Sequence, residues 1–278
     1  YGIDLGTTNS AIARMEDGEA FIIKSDDNQM DTTPSIVSFN KKQAVFVGLS
    51  AKNALERESV SFHRNRKKAE PNGYQEFKRT MGTDHHYTSS NMQRSYTSEE
   101  LSAEVLKKLK GYIRDEEVTS AVITVPAMFR QSQLDATQRA AELAGFSYCE
   151  LLQEPIAASI AYGVKANATT GYWLVFDFGG GTFDAALMHV EEGIMKVVDT
   201  EGDNHLGGKN LDNAIVDQLL IPELQKQCEL SDTLENESTK KLLQDALKKY
   251  AEEAKIALSS KEKWSYFFLN RVQIVELP

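Results

Sequence analysis

Three aspartates, Asp4, Asp177 and Asp184, each stand beside a run of glycine and threonine, the pairing that a phosphate-and-cation site needs. Residues 175–187 read VFDFGGGTFDAAL, two apolar runs with an acid in each and three glycines between them. Taken singly, this is a β-hairpin whose glycines supply the turn and whose acids face solvent. Residues 2–8 read GIDLGTT, however, and repeat the order apolar, Asp, apolar, Gly, then Thr. Each copy runs on into a second β-like stretch, SAIARME at 10–16 and TFDAALMHV at 182–190. The same hairpin occurs twice, about one domain-length apart, which points to two similar lobes offering one loop each to a shared ligand.

A Gly/Thr turn presents successive backbone N–H groups that converge on an oxyanion, and the threonine hydroxyls add donors. An aspartate at each strand end would repel phosphate unless a hard cation lay between them. Mg²⁺ suits that place, because it takes few carboxylates, keeps its waters and bridges phosphate oxygens. No G-x-x-x-x-G-K-[ST] loop occurs, so this is not a P-loop.

The elements that must hold these loops alternate between strand and helix. After the first hairpin come strand-like runs at 19–24, 35–39 and 44–48, then a polar stretch over 61–100 that reads as a weakly structured or a surface region. Thr97 and Glu100 form a capping box ahead of a helix with the stripe Leu101, Val105, Leu106, Leu109 and Ile113. A buried strand is expected at 121–126, a helix at 132–144 closed by Gly145, and a strand at 148–155. Pro155 then opens a short helix ending before Gly163, and 164–171 is the expected lobe boundary. Beyond the second hairpin follow a strand at 194–200 and helices at about 208–228 and 236–259. The expectation is a duplicated α/β fold with mixed sheets.

The chain has 278 residues, enough for two domains, with 41% hydrophobic and 26% charged residues. Its net charge of −10 argues against non-specific binding to nucleic acid or to anionic membranes. No apolar run approaches the ~18 residues of a membrane span. Cys149 and Cys228 are too few for a disulfide framework and have no metal spacing, so a reduced, cytoplasmic protein is expected.

Seven stretches, GIDLGTTNS, TTPSIVSF, EFKRTMGT, AVITVPAMF, LLQEPIAASIAYG, VFDFGGGTFDAAL and GDNHLGGKNLD, occur in the order found in the ATPase domain of DnaK-type heat-shock chaperones, the heat-shock protein 70 family. The resemblance runs from Tyr1 to about Ser260. It implies the duplicated, actin-like (ribonuclease H-like) fold, with lobes at 1–168 and 169–278 around a nucleotide cleft. It also implies ATP or ADP with Mg²⁺, and it admits K⁺. Asp4 would stand near the metal and its waters, and Gly6, Thr7, Thr8 and Asn9 would form the first phosphate loop. Lys78 in FKRT matches the lysine that positions the attacking water, and Glu154 in QEP matches a carboxylate acting on the metal through water. Asp177 and Asp184 match the acids of the second lobe, and Gly179, Gly180, Gly181 and Thr182 its phosphate loop. Gly207 and Gly208 match a turn near the nucleotide, while Glu252, Lys255 and Ser259 match the residues that hold the adenosine. A J-domain co-chaperone, a nucleotide-exchange factor and peptide clients are the partners the family implies.

Singly, these residues have plainer readings. Lys78 would be a solvated surface lysine, Glu154 an acid at a helix start, and Glu252 with Lys255 an exposed i, i+3 pair. The chain also departs from the family. Leu134 and Ile256 stand where arginines are usual, and the segment between Gly82 and Thr97 is short. The tail after Ser260 matches poorly, so the second lobe is expected to be incomplete. Three activities follow: slow Mg-dependent ATP hydrolysis, nucleotide binding without turnover, or transfer of phosphate to an acceptor in the manner of sugar kinases. The third would need an acceptor site for which no motif is present.

Overall fold

The computed structural model describes residues 1–64, 72–166, 170–192, 194–268 and 272–277. Two compact units divide the chain, Tyr1–Leu206 and Gly207–Pro278. The lobe boundary expected at 168/169 falls at 167–169, outside the described residues.

In the first unit, β1 (Gly2–Asp4), β2 (Asn9–Glu16) and β3 (Glu19–Ile22) form an antiparallel meander. Its second turn is Asp17-Gly18, both at positive φ, the two-residue turn whose twist suits a hairpin. The short β4 (Thr33–Pro34) pairs with the start of β2. Strands β5 (Ile36–Phe39), β6 (Val45–Val47) and, after α1 (Leu49–Arg64), β7 (Gly73–Gln75) make a small sheet in the order β6-β5-β7. A 3₁₀ turn at Phe77–Thr80 and the hairpin β8 (Tyr87–Ser89) and β9 (Arg94–Tyr96) follow. The described parts of the stretch read as weakly structured or surface, 61–64 and 72–100, are thus built into the fold. Their polar residues are absorbed by specific bonds, such as Ser89 Oγ donating to Asn72 Oδ1 at 2.8 Å.

The capping box forms as expected at the start of α2 (Ser98–Lys110). Thr97 accepts from the Glu100 N–H, and the Glu100 carboxylate accepts from the Thr97 N–H. Leu101, Val105, Leu106, Leu109 and Ile113 are all buried in the main core, with Ile3, Ile12 and Ile123 of the sheet. After α2 come β10 (Ser120–Val125), α3 (Gln131–Leu143), β11 (Tyr148–Gln153) and α4 (Glu154–Ala166). Strand β10 runs parallel to β1, and β11 parallel to β10, so the sheet order is β11-β10-β1-β2-β3. Gly145 ends α3 at φ 82, where only glycine is unstrained. Helix α4 runs through Gly163 instead of stopping before it, because an isolated helical glycine costs only about 1 kcal/mol.

Strands β12 (Gly171–Phe178), β13 (Phe183–Glu191) and β14 (Ile194–Asp203) form an antiparallel sheet. Asp184, Ala186, Met188 and Val190 alternate onto its buried face, while Tyr172, Leu174, Phe176 and Phe178 of β12 are exposed on the other.

The second unit is mostly helical: α5 (Gly208–Ile215), α6 (Ile221–Gln225), α7 (Ser231–Glu235) and α8 (Glu237–Leu258), then the antiparallel pair β15 (Trp264–Phe268) and β16 (Val272–Leu277). The single helix expected over 208–228 is interrupted by a π turn at Val216–Leu220, next to Pro222, whose ring cannot extend a regular ladder. Val216, Leu220, Leu247, Ala251 and Ala254 form its core.

Candidate functional site

The second glycine hairpin closes with Phe178 opposite Phe183, leaving Gly179–Thr182 as its turn, and the Gly179 N–H donates to the Thr182 carbonyl at 2.9 Å. The same register sets Asp177 directly across from Asp184. Residues opposite one another in an antiparallel pair share a face, so the two carboxylates lie side by side, an arrangement that like charges disfavour. They also lie on the buried face, and Asp184 is only 2% exposed. The third strand makes room for them: Gly202 is opposite Asp184, and a Cβ there would meet the Phe183 carbonyl oxygen at 2.4 Å. Gly202 opens the stretch GDNHLGGKNLD, but no role was assigned to it in the sequence, where it lies just past the strand expected at 194–200.

In the first hairpin Asp4 ends β1 beside Thr124 of the parallel β10, whose hydroxyl donates to Asp4 Oδ1 at 3.2 Å. The turn after it is tight. A Cβ on Gly6 would stand 2.1 Å from the Asn9 carbonyl oxygen, so residue 6 must be glycine.

The two loops meet. A Cβ on Gly180 would lie 2.0 Å from Thr8 Oγ1, and one on Gly181 would lie 2.9 Å from Thr7 Cγ2. The repeated motifs, 170-odd residues apart in the chain, therefore face each other within one compact unit. Thr8 Oγ1 and Asp184 Oδ1 are both buried there without a hydrogen-bond partner. Buried polar atoms are nearly always satisfied, and these two, one on the first loop and one two residues past the second, are left available to a ligand's polar groups.

Lys78 is the largest departure from the plain reading. It sits in the 3₁₀ turn, 5% exposed, with Nζ 2.8 Å from Glu154 Oε1 and 5.6 Å from the centre of the Phe129 ring. Glu76 just before the turn is held in the left-handed region at φ 60, which aims Phe77 and Lys78 inward. Glu154 is the first residue of α4, directly after β11. Asp4, Thr124 and Glu154 thus cluster where the parallel strands end, the edge at which open α/β sheets bind ligands. Arg79, also unremarked in the sequence, donates from Nη2 to the His205 carbonyl at 2.7 Å, with its stem 3.3 Å from where a Gly181 Cβ would be.

Electrostatics join the acids into one group. Asp184 is pushed up to about 6, first by desolvation on the buried face, then by the charges of Glu154 and Asp177, against the lowering effect of a Met128 backbone bond and Lys78. Asp177 is raised by desolvation and by Glu154 and Asp4. Asp4 is raised by desolvation and Glu154, while Lys78 and Thr124 pull it down. Four acids facing one buried ammonium leave a surplus of negative charge that a cation would relieve. Among the described residues no three His, Cys, Asp or Glu stand close enough together to ligate one ion directly.

The remaining residues implied by the resemblance lie in the second unit. Gly207 precedes α5 with its N–H bonded to Asn210 Oδ1 at 3.0 Å. Lys255 on α8 reaches Asp212 Oδ1 at 2.6 Å and donates to the Gly208 carbonyl at 3.2 Å. Glu252 stands one turn before Lys255's end of the helix, and the Ser259 hydroxyl bonds the Lys255 carbonyl at 3.1 Å. Ile256 is 64% exposed.

The chain is 41% identical over 263 residues to the chaperone protein DnaK of Thermosipho africanus (strain TCF52B), which covers 94% of this chain and 41% of that protein. It is 40% identical over 263 residues to the DnaK of Thermosipho melanesiensis and 38% over 265 residues to that of Mycoplasmopsis agalactiae, with the same shares covered. It spans about two fifths of the length of these relatives. The sequence model of the Hsp70 protein family matches residues 1–270, some ten residues beyond where the motifs give out, and the chain accordingly belongs to the Hsp70 family.

Proposed function

We propose that this chain binds Mg·ATP and hydrolyses it slowly, as the nucleotide-binding region of a molecular chaperone. The observation that carries this is the meeting of two glycine–threonine loops over a buried Lys78–Glu154 pair and three raised aspartates. Opposed loops of this kind suit a polyphosphate gripped from two sides. On this reading the lobes are 1–168 and 169–278, and Gly207, Gly208, Glu252, Lys255 and Ser259 serve the adenosine.

The donor set fits Mg²⁺. With no three-ligand cage among the described residues, the ion would take one or two carboxylates, with water and phosphate oxygens for the rest, as Mg²⁺ usually does. Asp177 and Asp184 would hold it, Asp184 through the oxygen that now lacks a partner, and Asp4 and Glu154 would act through water. When bound, Mg²⁺ would supply positive charge against the phosphates. The protein's own part is positioning. Thr7, Thr8 and the backbone of Gly179–Thr182 donate to phosphate oxygens. Lys78, fixed by Glu154, orients a water for attack and stabilises the charge that develops at the terminal phosphate. Burial keeps the ammonium from wandering to solvent, so its orientation costs nothing at the moment of reaction.

The DnaK relatives are chaperone proteins by name. On the family resemblance, a J-domain co-chaperone, a nucleotide-exchange factor and peptide clients, in the cytoplasm, are proposed as this chain's partners. Calorimetry with Mg·ATP and a phosphate-release assay test the proposal. Binding with release that no sugar accelerates supports hydrolysis. Binding without release assigns a non-hydrolysing nucleotide module. Absence of Mg·ATP binding overturns the reading.

A further inference from the structure

The first phosphate loop is held from behind by a residue to which no site role was assigned in the sequence. Ser35, between β4 and β5, is 1% exposed. Its hydroxyl donates to the Gly6 carbonyl at 2.7 Å, and its backbone N–H donates to the Thr8 carbonyl at 2.8 Å. One residue thus grips the loop at two carbonyls, on either side of Thr7. A third bond joins Ser35 Oγ to Ser10 Oγ at 2.8 Å, and Ser10 is also 1% exposed.

Proton counting orients this chain. A serine hydroxyl has one hydrogen. Since Ser35 spends its hydrogen on Gly6, the bond to Ser10 must run from Ser10 to Ser35. The direction Ser10→Ser35→Gly6 lets each bond polarise the next.

The consequence lies on the opposite side of the loop. All described peptide bonds are trans, and in a planar trans peptide the C=O of one residue and the N–H of the next point in opposite directions. Turning the Gly6 carbonyl toward Ser35 therefore turns the Thr7 N–H away from it. Turning the Thr8 carbonyl toward Ser35 does the same to the Asn9 N–H. We infer that Ser35 is a positioning residue of the first loop, which sets the direction of the Thr7 and Asn9 N–H groups by holding the carbonyls behind them. The inference rests on the nucleotide-binding reading for its purpose, and on the three bonds for its geometry. It also explains why the loop can carry an unpartnered Thr8 hydroxyl at its tip without relaxing toward it.

The test compares Ser35→Ala with Ser10→Ala in the whole protein. Both remove one buried hydroxyl, and only the first frees Gly6. Mg·tripolyphosphate, which has the phosphates without the nucleoside, is the calorimetric probe. Ser35→Ala is expected to weaken it about tenfold, which is about 1.4 kcal/mol, and to weaken Mg·ATP by the same factor. Ser10→Ala is expected to stay within about threefold. In the ligand-free protein, Ser35→Ala should shift the Thr7 amide resonance more than Ser10→Ala does, while the Asn9 N–H, set by the backbone bond from Ser35 to Thr8, keeps its direction. Equal losses for the two variants, or an unmoved Thr7 amide, overturn the inference. If the parent binds neither probe, the nucleotide reading fails by itself, and the amide resonances still decide whether Ser35 holds the loop. Should Ser35→Ala not fold, Ser35→Cys keeps a weaker donor on the same frame and carries the same comparison.

Discussion

Asp184→Asn should make the ligand-free protein more stable at neutral pH, although it removes a residue of the proposed site. Asp184 has an ordinary value of 3.8 in the unfolded chain and about 6 in the folded one. The folded state therefore binds more protons than the unfolded state between those two values, so this group's contribution to stability falls as pH rises through that window. Above pH 6 the ionised carboxylate on the buried face costs about 3 kcal/mol, about two units at 1.36 kcal/mol each. Asparagine is nearly isosteric and never ionises. Its amide donor would lack a partner at an oxygen site that already has none, a penalty of about 1 kcal/mol. The net expectation is a gain of about 2 kcal/mol in urea unfolding at pH 7.5, in EDTA and without nucleotide. The gain should shrink as pH is lowered and reverse to a small loss below pH 4, where both side chains are neutral. A variant no more stable than the parent at pH 7.5, or a difference that ignores pH, would show that Asp184 is not held ionised against its surroundings.

Lys78→Ala should lower turnover by on the order of 10²-fold while Mg·ATP affinity stays within a few-fold. Because it strands Glu154 among the acids, it should also destabilise the fold by about 3 kcal/mol in urea unfolding, and adding Glu154→Gln should restore more than half of that loss. Gly180→Ala, whose Cβ would lie 2.0 Å from Thr8 Oγ1, should drive the loops apart and weaken Mg·tripolyphosphate at least tenfold by calorimetry, with circular dichroism unchanged. Asp177→Asn should weaken Mg·ATP far more than it weakens ATP in EDTA; equal losses with and without metal would make Asp177 structural. Mg·ATP and Mg·GTP should bind within about tenfold of each other, with Ile256→Arg widening the gap in favour of ATP through a guanidinium–aromatic contact of ~0.5–2 kcal/mol, as competition binding will show.

What could be read directly from the chain was local. The Asp–Gly–Thr hairpins declared themselves because a turn and its flanking strands are encoded within about ten residues, and because the pattern recurs. The Thr97–Glu100 capping box and the stripe of α2 were legible for the same reason: both repeat within one or two helical turns. Where local signals conflicted, the reading slipped. The helix expected over 208–228 was broken by Pro222, and α4 ran past Gly163, since neighbouring packing outweighs a glycine's modest propensity.

Tertiary structure alone decided which charges are buried and which partners they have. Lys78 and Glu154 are 76 residues apart, and each alone resembles ordinary surface. Their pairing depends on β11 lying parallel to β10, and on the left-handed Glu76 turning the 3₁₀ segment inward. Asp177 and Asp184 were visible as acids, but only the register of β12 on β13 sets them side by side on the buried face. Ser35 stood within the stretch TTPSIVSF but showed no role there, since a serine before a strand is commonplace and its importance lies in two carbonyls some thirty residues away. Turns and helix caps are short-range and survive in the sequence as pattern. Burial and ion pairing are properties of a packed environment, and that environment exists only once distant segments have met.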